Sequence, residues 1–135
     1  MKVVINDCYG GFHLSHKAIM AFAKRKGFDL YAYITSFASN GMKRTPYREG
    51  DVKDEIFLSY FKKPLVDGEE DNYYFSVDEI ERNDKDLVDI VEILGEESNA
   101  FTSSLKVVEI PDDVDFVIEE YDGLESIHEK HRSWS

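Results

Sequence analysis

Residues 6–15, NDCYGGFHLS, hold the densest chemistry in the chain. An apolar run, Lys2-Val-Val-Ile5, leads in, and an amphipathic helix pattern follows. Cys8, the only cysteine, would sit at the end of a strand just before a helix, where backbone amides favour a thiolate or an anion. A phosphatase of the Cys-x5-Arg type would need arginine at position 14, and the chain has Leu14. Neither a Walker phosphate loop nor a G-x-G-x-x-G turn is present. The alternative use of the same stretch is a ligand-binding turn. Gly10 and Gly11 let a ligand approach the main chain, and Asn6 offers both a donor and an acceptor. Tyr9 and Phe12 supply flat faces that stack on a base or ribose. A plain glycine corner whose rings pack into the core, with a buried structural thiol, is the competing reading.

The four histidines fall in two i,i+3 pairs, His13/His16 and His128/His131. The stretch from Glu125 to His131 reads E-x-x-H-x-x-H, which a helix would present on one face. Di-metal bundles need two such elements and further carboxylates, so no metal and no cofactor is expected from this single one. Trp134 is the only tryptophan, and a large ring near a terminus implies a docked tail. Arg132 beside it, and Arg82 within the acidic stretch 78–84, are candidate phosphate clamps or salt-bridge partners. Phe75 and Tyr121 add two more aromatic plates, and Arg44 and Arg48 two more cations.

These groups must be held by elements that the hydrophobic pattern outlines. Lys2–Asn6 reads as a buried strand. Ser15 caps a helix carrying Ala18, Ile19, Phe22 and Ala23 on one stripe, and Gly27 follows a basic last turn. Phe28–Phe37 reads as a second strand, residues 38–54 as a loop, and Ile56–Phe61 and Tyr73–Val77 as further strands. Asp84 caps a helix through Leu94 that stops near Gly95. Ser104–Ile110 and Val114–Glu120 are strands expected to pair as a hairpin, and Leu124 to about Arg132 is expected to be a last helix. The expected fold is a single α/β (α+β) domain over residues 1–135, a mixed β-sheet packed against about three helices.

Composition narrows the function classes. The net charge of −12 is split: residues 1–66 carry +5 and residues 67–135 carry −17. An acidic surface repels phosphate backbones, so duplex nucleic acid is not an expected partner. No apolar run reaches membrane-spanning length, and the first residues lack the apolar core of a signal peptide. One cysteine rules out an internal disulfide, which suits a reducing cytoplasm. The opposite charges of the two halves suit association between copies.

The motifs also carry a resemblance. KVVINDCYGGFHLSHKAI at 2–19 is similar to the opening of a group of small phage and prophage proteins, K-[VI]-V-[IF]-N-x-C-[YF]-G-G-F-x-L-S. IERNDKDLVDIVEILGEESN at 80–99, LKVVEIPDDVDFVIEEYDG at 105–123 and LESIHEKHRSW at 124–134 resemble later signatures of that group. About two-thirds of the chain is covered, and roughly 38–72 has no counterpart. The group includes or neighbours the first Thoeris anti-defence family, which the chain thereby resembles. The resemblance implies a sponge that binds cyclic ADP-ribose isomers without cleaving them and assembles from dimers, with pockets at protomer interfaces. Some members also trap cyclic oligonucleotides. It carries over to Asn6, Cys8, Gly10, Gly11 and Arg132.

The function expected is thus a phage-encoded, non-enzymatic homo-oligomer in the host bacterial cytoplasm that sequesters a nucleotide-derived immune signal. Its expected ligand-binding residues are Asn6, Cys8, Tyr9, Gly10, Gly11, Phe12, Phe75, Arg82, Tyr121 and Arg132, with no catalytic group. Two alternatives stand beside it. One is a nucleotide hydrolase or thiol-dependent enzyme using Cys8. The other is an acidic protein-interaction module that mimics nucleic acid.

Overall fold

The computed structural model describes residues 1–38, 41–48, 58–65 and 73–130. The fold is mixed α+β. Two α-helices and eight strands are the regular elements among the described residues, with 3-10 turns at Val77–Glu79 and Gly95–Ser98. The expected third helix is absent among the described residues.

Strand β1 (Lys2–Asn6) leads through the diglycine corner to α1 (His16–Lys26). Ser15 caps α1 through its hydroxyl, which accepts the Ala18 amide at 3.1 Å, and Gly27 ends it in the left-handed region. Ala18, Ile19, Phe22 and Ala23 form its buried stripe. Then come β2 (Tyr31–Ala38), β3 (Gly41–Pro46), β4 (Leu58–Phe61) and β5 (Tyr74–Phe75), joined antiparallel in the order β3-β2-β4-β5. The expected loop at 38–54 is therefore corrected at Gly41–Pro46. This polar segment is paired on one side only among the described residues, the edge position where polar strands are tolerated. The rest of that stretch, 49–54, lies outside the described residues.

Helix α2 (Lys85–Leu94) is capped by Asp84, whose carboxylate accepts the amides of Asp86 and Leu87. Its buried face, Leu87, Val88, Ile90 and Val91, joins the stripe of α1 in one apolar cluster. Val4, Phe12, Leu14, Leu30, Tyr60, Phe75 and Ile80 belong to the same cluster, so both helices, β1 and the four-stranded sheet share it. Burial of such side chains contributes about 1.5–3 kcal/mol each before entropy is counted.

Two expectations about the C-terminal third are corrected. Strand β6 (Leu105–Glu109) does not pair with the following strand. It pairs antiparallel with β1, Val4 opposite Val107. Strand β7 (Phe116–Tyr121) instead pairs with β8 (Leu124–Glu129), where a helix was expected. The reason is Asp122-Gly123. Both residues have positive φ, 49° and 88°, which is the geometry of the tight hairpin turn that an Asp-Gly pair favours. The hairpin lies against β1 through β8. Among the described residues no helix is long and apolar enough to cross a membrane.

The change from helix to strand removes the E-x-x-H face. Residues three apart in a strand point to opposite sides. Glu125 is accordingly buried, while His128 is exposed, accepting or donating a bond with Ser126 Oγ at 2.8 Å. His131, Arg132 and Trp134 lie outside the described residues.

Candidate functional site

The corner after β1 is knotted by Asn6, which is fully buried. Its amide nitrogen donates to the carbonyls of Cys8 and Gly123, both at 2.8 Å. Its oxygen accepts the Ser104 amide at 2.9 Å and the Cys8 thiol at 3.4 Å. Two donors and two lone pairs exhaust what an asparagine side chain offers. Cys8 also directs its thiol at the Thr102 carbonyl, 3.3 Å away. Both partners of the thiol are amide oxygens, and neither is a base that takes its proton. Asn6 and Cys8 thus tie β1 to the 102–104 segment and to the hairpin turn.

Gly10 and Gly123 are glycine because main chains cross here. A Cβ on Gly10 would fall 1.6 Å from the Thr102 carbonyl oxygen, and one on Gly123 would fall 2.3 Å from the Gly11 amide nitrogen. Three backbone segments, 9–11, 101–102 and 121–123, meet at this crossing.

Arg82 braces the same region from outside the motif. Its carbonyl accepts the Val4 amide at 2.8 Å. Its guanidinium forks onto Glu125 at 2.6 and 2.8 Å and lies 3.5 Å from the centre of the Phe12 ring. Glu125 in turn accepts the main-chain amide of Asn6 at 2.8 Å. The Glu125 side chain is 7% exposed and that of Arg82 20%. This cation is consumed by a structural ion pair.

Beside the crossing opens a cavity of about 580 Å³. Gly10 and Thr102 border it on one side, and Phe12, Tyr60, Tyr74 and Phe75 supply aromatic walls. The Gly10 amide makes no hydrogen bond among the described residues. His13 and Asp78 are the charged or titratable groups at the cavity besides its tyrosines, and no lysine or arginine is among its described lining residues. Its volume lies in the range of small-ligand sites, roughly 300–1,000 Å³. A second cavity, about 710 Å³, lies on the other side of a ring pair and is lined in part by His16, Met20, Tyr31, Tyr33 and Tyr47. His16 Nδ1 and the Tyr60 hydroxyl are 2.8 Å apart and their rings stack. Because Tyr60 faces the first cavity and His16 the second, this pair forms part of the wall between them.

The structure thus brings three of the expected ligand residues, Gly10, Phe12 and Phe75, to the lip or wall of one cavity. Asn6, Cys8, Gly11 and Arg82 belong instead to the bracing beneath the corner. Tyr9 and Tyr121 are exposed outside the cavity, 69% and 74% respectively. Arg132 lies outside the described residues. The histidine pair His13/His16 does not share a helix face, since Ser15 caps α1 between them and each residue borders a different cavity. Sequence reasoning missed Tyr60, Tyr74 and Thr102 as lining residues. Tyr60 and Phe75 are paired across β4 and β5, a register that sequence alone does not encode. Among the described residues no group of three metal-ligating side chains forms a site.

No protein-family model matches the chain, and neither a curated protein nor a solved structure is significantly similar to it.

Proposed function

We propose that this protein binds a small nucleotide-derived signal and sequesters it without cleaving it. One observation carries the reading: an aromatic-walled cavity of about 580 Å³ opens beside the diglycine corner, next to a Gly10 amide that has no hydrogen bond among the described residues. Flat walls at Phe12, Tyr60, Tyr74 and Phe75 suit a planar base, because stacking tolerates any ring with a π face. The cyclic ADP-ribose type fits the resemblance of residues 2–19 and 80–134, with cyclic oligonucleotides as the related class. On this reading the chain is a phage-encoded anti-defence protein of the Thoeris type, acting in the host bacterial cytoplasm.

The lining carries an aspartate and no described lysine or arginine. A ligand's phosphates would therefore turn outward, toward cations of a second copy. The proposal includes a homo-oligomer for that reason. A signal trap also competes with a receptor, so nanomolar affinity, about −12 kcal/mol, is required of the assembled site.

The test incubates purified protein with lysate containing products of TIR-domain or cyclase enzymes, re-isolates it, and identifies what heat denaturation releases by mass spectrometry. An intact cyclic nucleotide in stoichiometric amount supports sequestration. An altered nucleotide, with the change abolished in Cys8→Ala, points to the thiol enzyme. Protein that emerges empty from every such lysate sinks the proposal.

A further inference from the structure

The crossing of the three backbone segments carries a feature that the cavity does not use. Tyr9, Phe101 and Tyr121 are exposed by 69%, 78% and 74%, and each lies within two residues of that crossing. Tyr9 adjoins Gly10, Phe101 adjoins Thr102, and Tyr121 precedes the Asp122-Gly123 turn. Large rings this exposed are ordinary when scattered, but three of them carried within two residues of one main-chain crossing point to an interaction surface.

The segments that carry them hold side-chain charge of one sign, and the one cation the structure brings to the crossing, Arg82, is paired with Glu125. Residues 7–13, 99–104 and 119–125 contain Asp7, Glu119, Glu120, Asp122 and Glu125 and no lysine or arginine. Glu125 is held by Arg82, Glu120 accepts the Gly123 amide, and Glu119 lies 3.4 Å from His128. Asp7 and Asp122 are exposed and have no side-chain partner among the described residues. Single-stranded nucleic acid also stacks on exposed rings, but it needs a cationic groove for its backbone, and these segments supply none.

We propose that Tyr9, Phe101 and Tyr121, with the carboxylates of Asp7 and Asp122, form a docking surface for an arginine-bearing segment of a protein partner. Guanidinium is planar and weakly hydrated. It stacks on an aromatic face and at the same time donates a forked pair of hydrogen bonds to a carboxylate. Lysine does the second less well and the first only as a point charge. The surface is separate from the aromatic cavity and stands whether or not that cavity holds a nucleotide.

The test is fluorescence anisotropy with three short labelled peptides, alternating serine with arginine, lysine or citrulline. The arginine peptide should bind best and the citrulline peptide, which keeps the shape and loses the charge, worst. Replacing both Tyr9 and Tyr121 with alanine should weaken arginine-peptide binding roughly tenfold. Asp7→Asn with Asp122→Asn should flatten its salt dependence. Phe101→Ala serves as the independent variant should the double tyrosine replacement unfold, as judged by circular dichroism. Equal binding of the arginine and lysine peptides, untouched by removing the rings, would mean diffuse attraction to the acidic half and would overturn the proposal. So would tighter binding of a single-stranded RNA oligomer, or a fall in the protein's own sedimentation mass when the rings are removed.

Discussion

Arg82 and Glu125, 43 positions apart, meet in a two-pronged ion pair of 2.6 and 2.8 Å, with the guanidinium over the Phe12 ring. The pair links the segment before α2 to the last hairpin, and through the main-chain amide of Asn6 it reaches the first strand. Three distant parts of the chain converge on one carboxylate. Burying a lone charge is costly, so the two residues are worth most together.

Removing either partner leaves the other buried and uncompensated. Arg82→Ala and Glu125→Ala should each lower stability by about 3–5 kcal/mol, measured by urea unfolding. The double replacement Arg82→Met with Glu125→Leu should recover much of that loss, because apolar pairs of similar volume often match a buried ion pair. If the double variant is as unstable as the sum of the singles, the pair is not the coupling device described here.

The crossing at Gly10 sets a second expectation. Gly10→Ala places a methyl 1.6 Å from a main-chain oxygen that has nowhere to move, and should prevent normal folding or cost several kcal/mol. Gly27→Ala is the matched control. Nothing lies within 4 Å of its Cβ position, although its φ is +85°, so only local strain of about 1 kcal/mol is expected. Comparable urea midpoints for the two variants would show that the three segments do not cross as tightly as described.

The cavity wall offers residues that separate binding from stability. Tyr74 is 51% exposed and stacks edge-on with Phe61 at 5.6 Å, so Tyr74→Ala should cost about 1 kcal/mol of stability. Phe75 is buried among Phe22 and Phe28, and Phe75→Ala should cost about 3–5 kcal/mol. On the sequestration reading, Tyr74→Ala weakens ligand retention while the fold persists. Titration calorimetry with the released ligand checks this, and unchanged affinity would place the ligand elsewhere.

The junction between the helices gives a pH dependence. The Lys26 ammonium, and then the Arg25 guanidinium, hold the Asp86 carboxyl below the ordinary aspartate range, while hydrogen bonds to Asp84 and Asp86 raise Lys26. Asp86 binds its proton less readily folded than unfolded. Its contribution is therefore full above the ordinary aspartate pKa and is lost as pH falls through the lowered one. Lys26 behaves in the opposite sense, contributing fully below the ordinary lysine pKa and losing that as pH rises through its raised value. Asp86→Asn should flatten the decline in stability on the acid side, read from urea midpoints across a pH series. The effect is small, because both side chains keep part of their solvent exposure and water screens the pair.

Much of the fold is written locally. The stripe at Ala18, Ile19, Phe22 and Ala23, capped by Ser15 and stopped by Gly27, specifies α1 through contacts within a few residues. The same holds for α2 between Asp84 and Gly95. The diglycine corner is legible as a tight turn open to close approach, Phe12 as a ring flanking it, and Phe75 as a further aromatic plate. What forbids a side chain at the crossing, the Thr102 carbonyl and the Gly11 amide, lies about 90 and 110 residues from the glycines concerned. Nothing local encodes such a contact.

Both helices, the first strand, the mixed class of the fold and the charge split between its halves are legible in the residues alone. Each rests on short-range periodicity, capping or simple composition. Only the tertiary structure decided which strands pair, since β6 finds β1 across a hundred residues and the Asp122-Gly123 turn folds the last segment back as a strand. It also decided the fate of a charged candidate: Arg82 is spent on Glu125. The physical reason is that an ion pair or a cavity is a relation among distant residues. Its energy depends on burial and geometry that exist only once the chain has closed on itself.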